Sequence, residues 1–236
     1  MVYITSDIHG HSDCYNRLLE KINLTENDCL IILGDVVDRG ENGIEILLDI
    51  MKRENVFLLL GNHEQMMLEV LEKLSQEITE ENIAGLTAET TDRMVNWLYE
   101  NDGEPTLNAF KQLSNEKKTE LLDFIACLPL YEELSVNGQT YVLVHAGLGD
   151  DFSPDKPLDD YYDEELIWSR TDYSMQYYSN KILITGHTPT RIIEGNPKHN
   201  FIFKGNNHIA IDCGCGFEGG QLGCICLNTM EEFYVK

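Results

Sequence analysis

Long hydrophobic runs are missing from this 236-residue sequence. No apolar stretch approaches the ~20 residues that a membrane-spanning helix needs, so no transmembrane anchor is expected. No basic and then apolar leader precedes the first polar motif, so no signal peptide is expected either. Positive charge is scarce: 17 Lys and Arg face 41 Asp and Glu, for a net charge of −24. The basic residues are scattered rather than gathered in a patch. Such a surface repels DNA, RNA and anionic membranes, so neither a nucleic acid nor a membrane is expected as a partner. A disulfide framework is missing too. The seven cysteines are odd in number and have no secretory context, which points to reduced thiols and a cytoplasmic location. There is no low-complexity linker and no internal repeat, so one domain over 1–236 is expected.

What is present is a repeated alternation. Apolar, strand-like runs at 2–5, 29–33, 56–60, 140–144, 181–185 and 208–211 are separated by helical or loop segments. This predicts a layered α/β fold, a central sheet or sheets flanked by helices. Asn137-Gly138 is a hairpin-turn signal feeding the run at 140–144. From 65 to about 127 the spacing is helical with no strand signal, which reads as a helical insertion beside the sheet. The Asp- and Pro-rich stretch at 149–163 reads as a surface loop.

The chemistry lies where the runs end. The first run leads into Ser6, Asp7, Ile8 and His9; the second into Gly34 and Asp35; the third into Gly61, Asn62, His63 and Glu64. The run at 140–144 leads into His145, and that at 181–185 into Gly186 and His187. In α/β sheets, sites gather outside the carboxyl ends of strands, so these side chains are expected to converge. Five of the seven histidines, His9, His11, His63, His145 and His187, lie in or just past these strand ends, too many for coincidence. Asp, Asn and His without Cys form an N/O ligand set, suited to Mn, Fe or Zn at a hydrolytic centre. One bridging carboxylate would leave enough ligands for two ions. His11 is expected beside a ligand or exposed, and His199 and His208 have no motif around them and read as structural.

"SDIHG" (6–10), "GDVVDRG" (34–40), "GNHE" (61–64), "HAG" (145–147) and "GHT" (186–188) together resemble the calcineurin-like metallophosphoesterases. The closest likeness is to the phosphoprotein phosphatase branch, which also holds symmetrical dinucleoside tetraphosphatases. The motifs identify the branch and are silent on the substrate. The resemblance implies two divalent ions, Mn2+ first among them, with Fe or Zn as alternatives. Asp7 and His9 would bind one ion, Asp35 would bridge, and Asn62, His145 and His187 would complete the second. The resemblance makes His63 the general acid, oriented by Asp38, with Arg39 and Arg170 holding phosphoryl oxygens. A metal-bridged hydroxide would then attack phosphorus in line. Two positions depart from the family pattern, Ser6 and Ala146; both stand where glycine is common, and both are small.

The function expected first is a serine/threonine protein phosphatase, since the chain is short and shows no nucleoside-pocket signal. A symmetrical dinucleoside tetraphosphatase is the alternative, and a non-catalytic metal-binding scaffold is a remote one. The substrate partner is therefore a phosphorylated protein or a small phosphoester. Cys213, Cys215, Cys224 and Cys226 lie on either side of Gly219-Gly220. A two-residue turn there would oppose 213 with 226 and 215 with 224. The spacing lacks a usual zinc knuckle, so these thiols read as small buried residues rather than as a zinc site or redox pair. Trp97 and Tyr99 read as core residues. The aromatic stretches at 159–165 and 172–178 either rim the site or form a solvated acidic loop.

Overall fold

A strand forms within every apolar run that the sequence singles out. The computed structural model describes residues 1–75 and 87–236. In it β1 (Val2–Thr5), β2 (Cys29–Ile32) and β3 (Val56–Leu58) run parallel. β4 (Tyr131–Val136) and β5 (Gln139–Val144) form a hairpin. Its turn residues, Asn137 and Gly138, both lie in the left-handed region, as a type I′ turn requires. β6 (Lys181–Thr185), β7 (Phe203–Gly205), β8 (His208–Ala210), β9 (Leu222–Cys226) and β10 (Glu232–Val235) complete the strands. They build two mixed five-stranded sheets, ordered β10-β9-β1-β2-β3 and β4-β5-β6-β8-β7.

The helices are α1 (Ser12–Lys21), α2 (Gly43–Ile50), α3 (Asn62–Leu74), α4 (Ala88–Val95), α5 (Glu104–Lys111), α6 (Asn115–Ala126) and α7 (Asp163–Trp168). A π turn, Asn96–Glu100, follows α4. The helical stretch expected from 65 is thus α3 to α6, and its residues 76–86 lie outside the described ones. Side-chain alternation makes the layers. Ile4 and Ile31 of one sheet meet Tyr141, Leu143, Ile184 and Ile209 of the other in an apolar layer between them. Tyr3, Leu30 and Ile32 point the opposite way, into a core shared with α1, α2, α3 and α6. Val142, Val144 and Leu183 pack outward against α7. Among the described residues no helix is long and apolar enough to cross a membrane.

Three expectations are corrected. The hairpin on Gly219-Gly220 does not form, because β9 finds its partners in β1 and β10. The glycine-rich segment before β9 turns through left-handed Gly214, Gly216 and Gly219 instead. Cys213 enters the layer between the sheets, while Cys215, Cys224 and Cys226 face the helices. The expected cross-strand thiol pairs are therefore absent, and all four cysteines are buried and free. Tyr99 is not a core residue but is 72% exposed; two positions earlier Trp97 is fully buried. Residues two apart on a helical turn face different ways. Finally, Tyr161, Tyr177 and Tyr178 are buried on the outer face of the second sheet, so the stretches at 159–165 and 172–178 neither rim the site nor lie wholly in solvent.

His208 is structural, and it carries a pH prediction. Its buried ring stacks on Tyr173 at 4.9 Å, and its Nε2 lies 2.9 Å from Thr185 Oγ1. Burial pushes its pKa down to about 3, from an ordinary 6.5. Below that ordinary value the unfolded chain binds a proton that the folded chain refuses. Stability should then fall with pH, by about 1.4 kcal/mol per unit from this group. Urea unfolding between about pH 6 and 4 should show a shallower acid slope for His208→Gln. An unchanged slope would remove His208 from the acid response.

Candidate metal centre

The five strand ends do converge. Asp7, His9, Asp35, Asn62, His63 and His187 line one pocket of about 310 Å³, together with Arg39 and Arg170. His145 does not line it but lies fully buried against two residues that do, with Nε2 2.9 Å from Asn62 Oδ1 and 3.4 Å from Asp35 Oδ1. Asp35 is central. Its carboxylate also lies 3.7 Å from His9 Nε2 and 3.9 Å from His63 Nε2. The donor atoms of His9, Asp35 and His63 come within 4.8 Å of one another, and so do those of Asp35, His145 and His187. Asp7 Oδ1 is 4.0 Å from His9 Nε2.

The backbone is bent to present these groups. Asp7, His9, Asp35, Asp38, Arg39 and His187 all take left-handed φ, between 47° and 69°. For a residue with a Cβ this is uncommon, and it persists where surrounding contacts over-determine it. One such contact is Glu64, fully buried, whose carboxylate accepts the N–H groups of Asp35 at 2.8 Å, Val36 at 2.7 Å and Val37 at 3.2 Å. Another is the crossing of Gly10 over Gly40, where a Cβ on Gly10 would lie 2.4 Å from the Gly40 carbonyl oxygen. Asp7 accepts from the Ser6 hydroxyl and, at 3.0 Å, from the His187 N–H.

Tautomers follow from the backbone. His9 Nδ1 faces the Val37 carbonyl at 3.0 Å, and His145 Nδ1 faces the Leu33 carbonyl. A carbonyl only accepts, so each Nδ1 carries the proton and each Nε2 offers a lone pair to the pocket. Burial holds His9 and His145 below the usual histidine value, and His187 down to about 3. Burial, then repulsion from Asp212 and Asp35, pushes Asp7 well above the usual carboxylate range. His63 differs. Burial pulls it down, but Asp35 and the hydrogen bond to Asp38 outweigh that and raise it. Its Nδ1–H donates to Asp38 Oδ2 at 2.7 Å, and Arg39 Nη2 lies 3.3 Å from its Nε2. Asp38 is itself pinned by the Trp97 indole N–H at 2.9 Å and the Thr106 hydroxyl at 2.7 Å.

Neutral imidazoles, buried carboxylates and an amide oxygen form a donor set whose own charge is negative. Unbalanced buried charge is costly, so the residues fit divalent ions, and their N/O character suits Mn, Fe or Zn. His11 is half-buried beside Gly216 and is not among these donors; His199 is exposed.

The pocket groups Asp212, Arg191 and Phe217, and Glu64 beside them, were given no role from the sequence. Asp212, buried and pushed up to about 6 by that burial, follows β8 as the other acids follow their strands. The strand-end rule applied to a sixth run would have found it. Glu64 is in the "GNHE" motif, but nothing local reveals that it holds the neighbouring loop. Arg191 and Phe217 carry no sequence signal; both line the pocket.

The family's sequence model, described as calcineurin-like phosphoesterase, matches residues 1–213. The chain belongs to this family. A symmetrical bis(5'-nucleosyl)-tetraphosphatase of Wigglesworthia glossinidia brevipalpis is 32% identical over 113 residues, 47% of this chain and 40% of that protein. A Caenorhabditis elegans protein provisionally named a serine/threonine-protein phosphatase is 41% identical over 68 residues, 27% of this chain and 19% of that one. The chain thus spans less than half the length of these curated relatives. A solved structure provisionally named a diadenosine tetraphosphatase superimposes with TM-score 0.67 at 19% identity, covering 99% of this chain and 92% of its own. A Saccharomyces cerevisiae serine/threonine phosphatase gives TM-score 0.56 at 16% identity, covering 100% and 79%. Both structures share the fold of two packed mixed sheets with flanking helices.

Proposed function

We propose that this chain hydrolyses phosphoric esters or anhydrides at a centre of two divalent ions, Mn2+ being the first candidate. The observation that carries this reading is the meeting of the strand-end donors around Asp35 beside the His63–Asp38 pair. Asp7, His9 and Asp35 would hold one ion; Asp35, Asn62, His145 and His187 would hold the other. Bound there, the ions would acidify a water and neutralise phosphoryl oxygens. The chain's own residues do the rest. His63 Nε2 delivers a proton to the leaving oxygen, with its ring fixed by Asp38. Arg39 and Arg170 grip phosphoryl oxygens through planar guanidinium groups. Arg170 is aimed by its bonds to the His187 carbonyl at 3.0 Å and Thr188 Oγ1 at 3.1 Å.

For the substrate we favour the dinucleoside tetraphosphate class over a phosphoserine or phosphothreonine protein. Three guanidinium groups line the pocket, whereas a phosphomonoester offers a single phosphoryl group. Relatives named symmetrical tetraphosphatases align over 47% and 49% of this chain. Chelation should abolish turnover, and Mn2+ should restore it with about two ions per chain by elemental analysis. A panel of p-nitrophenyl phosphate, phosphoserine peptide and diadenosine tetraphosphate then ranks kcat/KM. Full activity after chelation would overturn the metal reading, and preference for the peptide would restore the protein-phosphatase one.

A further inference from the structure

Arg39 and Arg191 share one aromatic ring. The Cζ of Arg39 lies 5.0 Å from the Phe217 centroid and that of Arg191 4.4 Å from it. Of the six arginines in this chain of net charge −24, Arg53 and Arg93 are paired with carboxylates. Among the described residues, no carboxylate lies within 4.0 Å of Arg39, Arg170 or Arg191. Buried Asp212 lines the same pocket and attracts Arg39 and Arg191, but it makes no ion pair with either, so their guanidinium groups stay free to meet an anion. Arg39 and Arg170 flank His63 and His187, where one phosphoryl group would sit. Arg191 remains for another.

The same ring separates the pocket from a second groove of about 520 Å³, lined by Arg39, Tyr99, Asp102, Glu104, Gly216 and Phe217. Tyr99 projects from the π turn, 72% exposed. Such π turns recur at functional sites. Exposed Asp102 and Glu104 disfavour a phosphate here but would accept hydrogen bonds from ribose hydroxyls or a base amino group. The groove thus suits the uncharged end of a nucleotide, with an aromatic face on which a base can stack.

Resting on the hydrolase reading above, we infer that Arg191 on Phe217 holds a second phosphate adjoining the scissile one, and that the Tyr99 groove receives the attached nucleoside. Both would be specificity-determining residues for nucleoside polyphosphates. Kinetics with Mn2+ on diadenosine tetraphosphate and on p-nitrophenyl phosphate test this. Arg191→Gln should lose kcat/KM on the dinucleotide by about tenfold more than on the nitrophenyl ester, chiefly through KM. Tyr99→Ala should show a similar selective loss of about tenfold, and Tyr99→Phe, which keeps the stacking face, should recover it. Calorimetry with inorganic tripolyphosphate should show weaker binding to Arg191→Gln and wild-type binding to Tyr99→Ala. Equal losses on both substrates, or none, overturn the subsites while leaving the hydrolase intact. A wild type preferring phosphopeptide overturns the nucleotide assignment, and one inactive on every substrate overturns the hydrolase reading itself.

Discussion

Replacing His63 by asparagine is expected to lower kcat by about 10²–10⁴ on a substrate with a poor leaving group. The loss should be far smaller on p-nitrophenyl phosphate, whose leaving oxygen needs little protonation. The expectation rests on three features of one ring. Its Nδ1–H is committed to Asp38 at 2.7 Å, so Nε2 is the nitrogen that meets the substrate. Asp35 and Asp38 raise its pKa against the pull of burial, so the proton-carrying form is favoured. Asp38 cannot swing away, since Trp97 and Thr106 hold both its oxygens. Asp38→Asn should therefore fall between the wild type and His63→Asn. Metal content must stay unchanged in both variants, because His63 also lies 3.9 Å from Asp35. Equal losses on good and poor leaving groups would sink the acid role, and a loss of bound metal along with them would make His63 a ligand instead.

Much of this site could be read before any coordinates, for a physical reason. A strand delivers its last side chains to one edge of a sheet, and five apolar runs each ending in Asp, Asn or His can hardly do anything but converge. Type and position of those runs were legible because β-branched stretches with sharp polar ends leave little choice. The Asn137-Gly138 hairpin was equally legible, since its two residues accept left-handed φ. What stayed hidden depends on contacts made far along the chain. β4, β7, β9 and β10 are short or mixed in polarity and exist only because a neighbouring strand offers them hydrogen bonds. The cysteine segment failed for that reason. Its glycines looked like a hairpin turn, but β1, more than 200 residues earlier in the sequence, competed for β9 and won. Arg191 and Phe217 are likewise legible only in three dimensions, where a cation finds a ring rather than a carboxylate.

Glu64→Ala is expected to be the most destabilising single change near the site, although Glu64 has no place in the proposed chemistry. The side chain is fully buried at the start of α3. Its two oxygens accept four amide hydrogens: Asp35 at 2.8 Å, Val36 at 2.7 Å, and Val37 and Gly61 at 3.2 Å. Water cannot replace an acceptor there without opening the core, and each buried donor left alone costs about 1–3 kcal/mol. Four orphaned donors set the total at about 4 kcal/mol or more, which is exceptional for one substitution. In a chain of this size that lowers Tm by about 10 °C. Released from its amides, Asp35 would also lose the left-handed turn (φ 56°) that aims its carboxylate, so metal affinity should drop by about 10–100-fold. Glu64→Gln should be intermediate, because its single carbonyl oxygen can serve only some of the donors and its NH2 faces the others. Glu69, only partly buried and paired with Arg93, is the control: Glu69→Ala should move Tm by no more than about 1–2 °C. Calorimetric melting with and without Mn2+ reads both effects. If Glu64→Ala melts with the control, the carboxylate does not hold the loop, and the aim of Asp35 must come from elsewhere.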